Sequence, residues 1–126
     1  MNPALTFVTP PPGLEPITDF TLNRVEGAAG LYSLQAVPNP DTRLYVLDAS
    51  VHLPDYTPYI STEQSNALSL TTPADALVFV VVNPGEDSTT VNLMAPIVVN
   101  AVTGVCAQLI LEGQDWPLRA ELNTAA

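Results

Sequence analysis

The chain has 126 residues, enough for one domain to bury a core without disulfide or metal cross-links. Thirteen acidic residues face three arginines and no lysine, and this net charge of -10 disfavours nucleic acid as a ligand, because phosphate backbones are bound mainly through Lys and Arg. The longest apolar run, residues 76–82, is too short for a membrane helix, and the start lacks the pattern of a secretory signal, so we expect a cytoplasmic protein without membrane association.

Short β-prone segments follow one another along the chain, and thirteen prolines leave no room for a long helix. Turn-forming stretches (EGAAG, PNPD, NPGED and VTG) lie between several of them. The predicted strands are 17–22, 31–37, 43–49, 76–82, 90–94, 96–102 and 105–111. This order predicts a mostly β fold, a small antiparallel β-barrel or sandwich with one short helix, in a single domain over residues 1–126.

Two segments in the middle of the chain have distinct predicted places. The run ALVFVVV (76–82) is apolar on both faces, which predicts a central strand that is covered on each side. The stretch STEQSNALSL (61–70) is the best helix candidate, with Ser61 or Thr62 as its N-cap. We expect this helix to close one mouth of the barrel, with Leu68 and Leu70 pointing inward.

The stretch NLMAPIVVNAVTG (92–104) combines strand-forming residues with a proline, which cannot donate to a sheet. It predicts one strand that ends at Met94, a kink at Pro96, and a second strand that leads into a hairpin turn at Gly104. The lone cysteine, Cys106, lies in the next strand and is expected to be a buried apolar residue.

The inventory of catalytic groups is thin. A nucleophile built from Cys106 and His52 has no local support, the chain lacks the ligands for structural zinc, and Glu86 and Asp87 are typical of a solvated turn. We therefore expect no enzyme activity, metal or cofactor. An alternative stays open, in which a small β-barrel enzyme or ligand-binding protein uses the region of His52, Asp55 and Tyr56.

The aromatic residues of LPDYTPYI and of the C-terminal segment allow two interpretations. Tyr56 and Tyr59, held between prolines, are either outward-facing contacts for a partner or a cover over the open end of the barrel. Trp116 either docks the C-terminal segment or contacts a partner. Composition does not decide between these alternatives.

Several motifs, read in order, resemble one known family. They are FVTPPPGLE (7–15), LQAVPNPD (34–41), PDY (54–56), TTVNLMAPIVVN (89–100) and WPLR (116–119). This order and spacing resemble the flagellar assembly factor FliW over nearly the whole chain. The sequence departs from the family in three ways: the strand that usually precedes LTF is expected to be absent or very short, residues 10–12 are PPP where glycine, a branched residue and proline are commoner, and Met94 stands where glutamine is common.

The resemblance implies a non-enzymatic protein with two partners. FliW proteins bind new flagellin in the cytoplasm, and they bind CsrA, an RNA-binding repressor of flagellin translation. A net charge of -10 fits a basic partner such as CsrA. We expect a monomer when the protein is free. Both turn-shaping and partner-binding roles are open for the residues that match the signatures; the partner-binding candidates are Asn39, Asp41, Asp55, Tyr56, Asn92, Met94, Pro96 and Asn100.

Overall fold

A computed structural model describes residues 4–11, 14–39, 41–53, 56, 58–70, 75–84, 89–111, 113–117 and 120–121. Its elements in chain order are β1 (Ala4–Phe7), β2 (Asp19–Arg24), β3 (Leu31–Ala36), β4 (Arg43–Asp48), α1 (Ala49–His52), α2 (Thr62–Ala67), β5 (Ala76–Pro84), β6 (Thr89–Asn100), β7 (Val105–Gln108) and β8 (Ala120–Glu121). Glu86, Asp87 and Asp55 lie outside the described residues, so the predictions for them have no structural counterpart here.

Seven of the described strands close a barrel in the order β5-β4-β3-β2-β1-β7-β6, because β6 pairs again with β5. The eighth, β8, pairs with the first part of β6, at Thr90 and Val91. The mostly β, barrel-like fold is thus confirmed. One pair departs from the expected antiparallel arrangement, since β1 and β7 run parallel. The strand β1 was not among the predicted strands, and its four residues close the edge between β2 and β7.

The barrel interior is apolar and contains side chains from every one of these seven strands. Phe7 and Phe20 meet edge to face at its centre, with ring centroids 5.2 Å apart. Cys106 also lies in this interior cluster, fully buried as expected. Burial raises the pKa of its thiol to about 12, so the sulfur is not a thiolate nucleophile at neutral pH.

The strand β5 is covered on both faces, as its composition predicted. Phe79 points into the barrel, whereas Val80 belongs to a cluster on the outer surface of the wall. A second outer cluster lies further along the wall and includes Val98 and Leu109. The outer clusters explain why the strands here have few polar positions.

The helix α2 has the predicted start but not the predicted place. The Ser61 hydroxyl accepts a hydrogen bond from the Gln64 amide at 3.1 Å, and Gln64 Oε1 accepts one from the Ser61 amide at 3.0 Å, a complete capping box. Leu68 is buried and Leu70 is partly buried, yet both pack in the outer cluster with Val98. The prediction that this helix closes the mouth of the barrel is therefore wrong, because the outer wall itself is apolar and needs a cover.

Three further differences concern element boundaries. A second short helix, α1, follows β4 directly, capped by Asp48 Oδ1, which accepts from the Ser50 amide at 2.9 Å. The strand β7 ends at Gln108 rather than at residue 111. The two predicted strands on either side of Pro96 are one strand, β6. The described helices have four and six residues, and neither can cross a membrane.

Candidate partner-binding surface

Strand β6 passes through Pro96 by means of a large bulge. Phe79 of β5 pairs with Ile97, and Val81 pairs with Asn92, so one residue on β5 lies opposite four on β6. Pro96 is buried within this bulge, where the β5 ladder is already interrupted, so its missing N–H costs no ladder hydrogen bond. The predicted kink is therefore real, but it deforms a continuous strand instead of separating two.

Asn92 supplies the hydrogen bonds that the bulge needs. Its Oδ1 accepts from the amides of Met94 at 3.0 Å and Ala95 at 3.1 Å. Both amides have left the β5 ladder, so the side chain replaces the strand partner that they would otherwise have. Asn92 thus has a structural role in shaping the segment that presents Met94.

Asn100, at the other end of β6, also accepts hydrogen bonds from two backbone amides, and in addition it donates hydrogen bonds to another segment. Its Oδ1 accepts from the amides of Val102 at 2.9 Å and Thr103 at 3.3 Å, which shapes the turn before β7. Its Nδ2 donates to the carbonyls of Leu68 at 2.9 Å and Ser69 at 3.2 Å. The side chain is 3% exposed, and it holds the end of α2 against the barrel wall.

Tyr56 covers the bulge from outside the barrel. Its hydroxyl donates to the carbonyl of Leu93, and its ring meets Trp116 edge to face with centroids 4.7 Å apart. Burial raises the pKa of this hydroxyl above its ordinary value, so it keeps its proton at pH values at which an exposed tyrosine ionises. Tyr56 and Trp116 belong to the outer cluster around Val80, which means that both dock segments onto the wall and neither lies over the barrel mouth.

Gln114 fastens the C-terminal segment to the segment before α2. Its Oε1 accepts from the Tyr59 amide at 2.9 Å and from Trp116 Nε1 at 3.2 Å, while its Nε2 donates to the Tyr59 carbonyl at 3.0 Å. The amide side chain therefore bonds Tyr59 as a neighbouring strand would. The Tyr59 ring itself remains 67% exposed.

These contacts build an open depression of about 530 Å³ on the outside of the bulge, which we call the Trp116 surface; its lining residues are Met94, Gln114, Asp115, Trp116 and Pro117. Met and Trp side chains are enriched where proteins bind one another, since they give large contact area and adapt to a partner's shape. The exposed carboxylate of Asp115 adds negative charge. The depression suits a protein contact with a basic residue at its edge.

The structure divides the predicted site residues among separate places. Asn92, Met94 and Pro96 lie in the bulge, and Tyr56 reaches it through Leu93. The other described candidates are elsewhere: Asn39 and Asp41 are exposed beside the turn between β3 and β4, and Asn100 is buried at the far end of β6. Gln114 and Asp115 were missed by sequence reasoning, because nothing local marks them; only the neighbouring Trp116 drew attention to this segment.

The region proposed for an alternative enzyme offers little chemistry among the described residues. A depression of about 420 Å³ lies between α1 and β5, lined in part by Asp48 and Tyr56. The Asp48 carboxylate is engaged as the cap of α1, accepting also from the Ser50 hydroxyl at 2.7 Å, and the Tyr56 hydroxyl donates to Leu93. In the described parts of the chain, no three His, Cys, Asp or Glu side chains group as a metal site would require.

The fold and this surface define a small closed β-barrel with a covered outer wall and a depression suited to protein contact. A profile of the FliW protein family matches residues 2–122. The chain belongs to the FliW family of flagellar assembly factors, a family not known for enzymes.

Curated relatives agree with this assignment. The flagellar assembly factor FliW of Moorella thermoacetica is 31% identical over 127 residues, covering 97% of this chain and 80% of that protein. The FliW of Geotalea uraniireducens is 38% identical over 88 residues, 68% of this chain. The FliW of Caldanaerobacter subterraneus is 37% identical over 98 residues, 73% of this chain. The matched part spans 54% of the Geotalea protein and 65% of the Caldanaerobacter protein, so between half and two thirds of their length.

A solved structure shares the fold. The crystal structure of the flagellar assembly factor FliW superposes with a TM-score of 0.86 at 25% identity, covering 94% of this chain and 84% of that one.

Proposed function

We propose that this flagellar assembly factor works in the cytoplasm by binding two proteins, flagellin and the RNA-binding repressor CsrA, and that it thereby relieves repression of flagellin translation. The observation that carries the proposal is the match to the FliW family over residues 2–122. The protein has no catalytic part in this scheme, and its partners compete for it.

Charge supports the CsrA half of the proposal. A protein that binds RNA is basic, and a chain of net charge -10 attracts it while repelling the RNA itself. The Trp116 surface combines apolar contact area at Met94 and Trp116 with the exposed Asp115. An apolar centre with charge at its rim is the usual anatomy of a reversible protein interface.

Competition between the partners follows from linkage. If flagellin abundance is to control CsrA, then each partner must weaken the binding of the other, and by the same factor in both directions. A protein with equal affinity for CsrA in the presence and absence of flagellin would transmit no signal.

The test is calorimetric titration of the purified protein with flagellin and with CsrA, each alone and in the presence of the other, at two salt concentrations. We expect both to bind, each to weaken the other, and CsrA binding to fall more steeply with salt, because exposed charges are screened over roughly 10 Å at 0.1 M salt. A ternary complex with undiminished affinities contradicts the switch, and absence of binding to either partner contradicts the proposal as a whole.

The Trp116 surface is tested within the same titrations. Asp115→Asn is expected to weaken CsrA binding by about threefold, the range of one exposed charge pair. Glu26→Gln is the matched control, since it removes one exposed negative charge from the turn after β2. Equal effects of the two variants would show that only the overall charge matters and that the Trp116 surface is not the contact.

A further inference from the structure

The pairing between β1 and β7 is short. The two strands pair in parallel, with the Thr6 amide donating to the Gly104 carbonyl at 3.0 Å and the Val8 amide to the Cys106 carbonyl at 2.9 Å. The next amide in this alternation would belong to residue 10, which is a proline without an N–H. Pro10 therefore donates no hydrogen bond that would continue this ladder beyond Val8.

The segment that follows β7 remains hydrogen-bonded to β6. The amides of Leu109 and Leu111 donate to the carbonyls of Pro96 and Met94, each at 2.8 Å, so this segment still runs alongside β6. In an extended chain, successive N–H groups point to opposite edges, so the Ile110 N–H points towards the edge that the N-terminal segment has left. Among the described residues this N–H has no hydrogen-bond partner, and the Ile110 carbonyl has only Gln64 Nε2, at 3.5 Å.

A groove of about 480 Å³ lies at this edge, and we call it the Ile110 groove. Its lining includes Val8 and Pro10 of the N-terminal segment, Glu63 and Gln64 of α2, and Gln108 and Ile110. Ile110 is 58% exposed and Val8 is 50% exposed, although both are large apolar side chains. The groove thus combines an open backbone edge with uncovered apolar surface, two features that soluble proteins normally avoid at the margin of a sheet.

We infer that the Ile110 groove binds an extended polypeptide segment of a partner, with apolar side chains at alternate positions and a Lys or Arg that faces Glu63. The open edge at Ile110 selects an extended backbone, because only a strand offers carbonyls at the spacing that a sheet edge requires. The exposed apolar side chains select apolar partners. Glu63, in a protein of net charge -10, selects a basic residue.

This site lies beyond the function proposed above, since it is defined by peptide chemistry and holds for any protein that supplies the segment. Charge complementarity also distinguishes it from self-association. A second copy of this chain would bring another net charge of -10 and no lysine to the groove. A basic partner meets attraction where a second copy meets repulsion.

The probe is a library of random twelve-residue peptides displayed on phage and selected on the intact protein, followed by synthesis of the enriched peptides. We expect the enriched sequences to alternate apolar residues and to carry Lys or Arg. Ile110→Lys should weaken their binding at least about tenfold, since it removes apolar contact and repels the basic residue. Val102→Lys is the matched control. Val102 is apolar, is 76% exposed and lies in the turn before β7, and its substitution changes the net charge by the same amount.

Two further measurements separate a strand from other occupants. Bound peptide should slow deuterium exchange of the Ile110 amide, and methylation of alternate peptide amides should abolish binding for one of the two alternating sets. Val8→Lys serves as a second groove variant if Ile110→Lys does not fold. The inference is overturned if no peptide is enriched, if groove and control variants bind equally, or if peptide binds while exchange of the Ile110 amide is unchanged.

Discussion

The two asparagines of β6 use the same side-chain chemistry with different consequences. In both, Oδ1 accepts from the amides two and three residues further on, at Met94 and Ala95 for Asn92 and in the turn before β7 for Asn100. Asn92 has no hydrogen bond from Nδ2 to any described residue, whereas Asn100 donates from Nδ2 to the end of α2. The comparison shows that a local turn signal becomes a tertiary contact only where another element packs over it.

The largest expected effect is at Asn100. Asn100→Ala removes partners from two amides and two carbonyls around a side chain that is 3% exposed, and we expect a loss of about 3 kcal/mol in the free energy of unfolding. Urea unfolding followed by circular dichroism measures it. Asn100→Asp keeps the acceptor but turns a second oxygen towards the Leu68 carbonyl, and it should also destabilise. A loss below about 1 kcal/mol for Asn100→Ala would mean that water replaces these contacts freely.

The next largest loss of stability is expected for Gly104→Ala, in the same turn. Its φ is +80°, and an added Cβ would lie 2.8 Å from the Ala4 carbonyl oxygen, so Gly104→Ala must displace β1. Gly113 has a φ of +77° with open space around it, which makes Gly113→Ala a control for the backbone conformation alone. We expect losses of about 2 kcal/mol and about 1 kcal/mol respectively. Equal losses in thermal or urea unfolding would show that β1 moves aside without cost.

Asn92→Ala tests the other end of the comparison. The amides of Met94 and Ala95 are in half-buried residues, where water can take over part of the lost hydrogen bonding. We expect a loss of about 1.5 kcal/mol by urea unfolding, the range for a turn-capping side chain. If Asn92→Ala costs as much as Asn100→Ala, then the contact between Asn100 and the end of α2 contributes little stability, and the two asparagines do not differ in their consequences.

The smallest expected effect is at Tyr56, and it depends on pH. Tyr56→Phe removes the donor to the Leu93 carbonyl, at an expected cost of about 1 kcal/mol at neutral pH. Burial raises the pKa of Tyr56 in the folded protein, so the unfolded chain ionises first as pH rises through 10. The contribution of the neutral hydroxyl is therefore complete below about pH 10 and is lost above it. Unfolding measured at pH 7 and above 10 should show the wild-type advantage shrinking; a constant difference would contradict this.

The predicted elements succeeded where the signal was local. The apolar run in β5 predicted a central strand, and Ser61 predicted the start of α2, because strand composition and capping chemistry both act within a few residues. Pro96 predicted a disturbance in β6, and the bulge is there. Of the candidate site, sequence reasoning singled out Met94 and Trp116 but not Gln114, because two of its three hydrogen bonds are to Tyr59, 55 residues away.

The predictions failed where distant parts of the chain meet. The strand β1 pairs with β7, about a hundred residues later, and a four-residue segment carries no sign of that partner. The segment of α2 was expected over the barrel mouth, yet Leu68 and Leu70, which follow the helix, pack against the outer wall. Alternation of residues tells which side chains share a face, but when both faces are apolar it does not tell which face is inside.

The sequence by itself determined the mostly β class, the net negative charge, a kink at Pro96 and the membership of the FliW family, because composition, single-residue backbone limits and motif order need no knowledge of the fold. Only the tertiary structure decided that Asn100 joins the end of α2 to the wall, that Tyr56 and Trp116 pack against each other, and that the Ile110 N–H has no hydrogen-bond partner among the described residues. These features depend on pairing between residues far apart in the chain, and that pairing is set by the closure of the barrel as a whole.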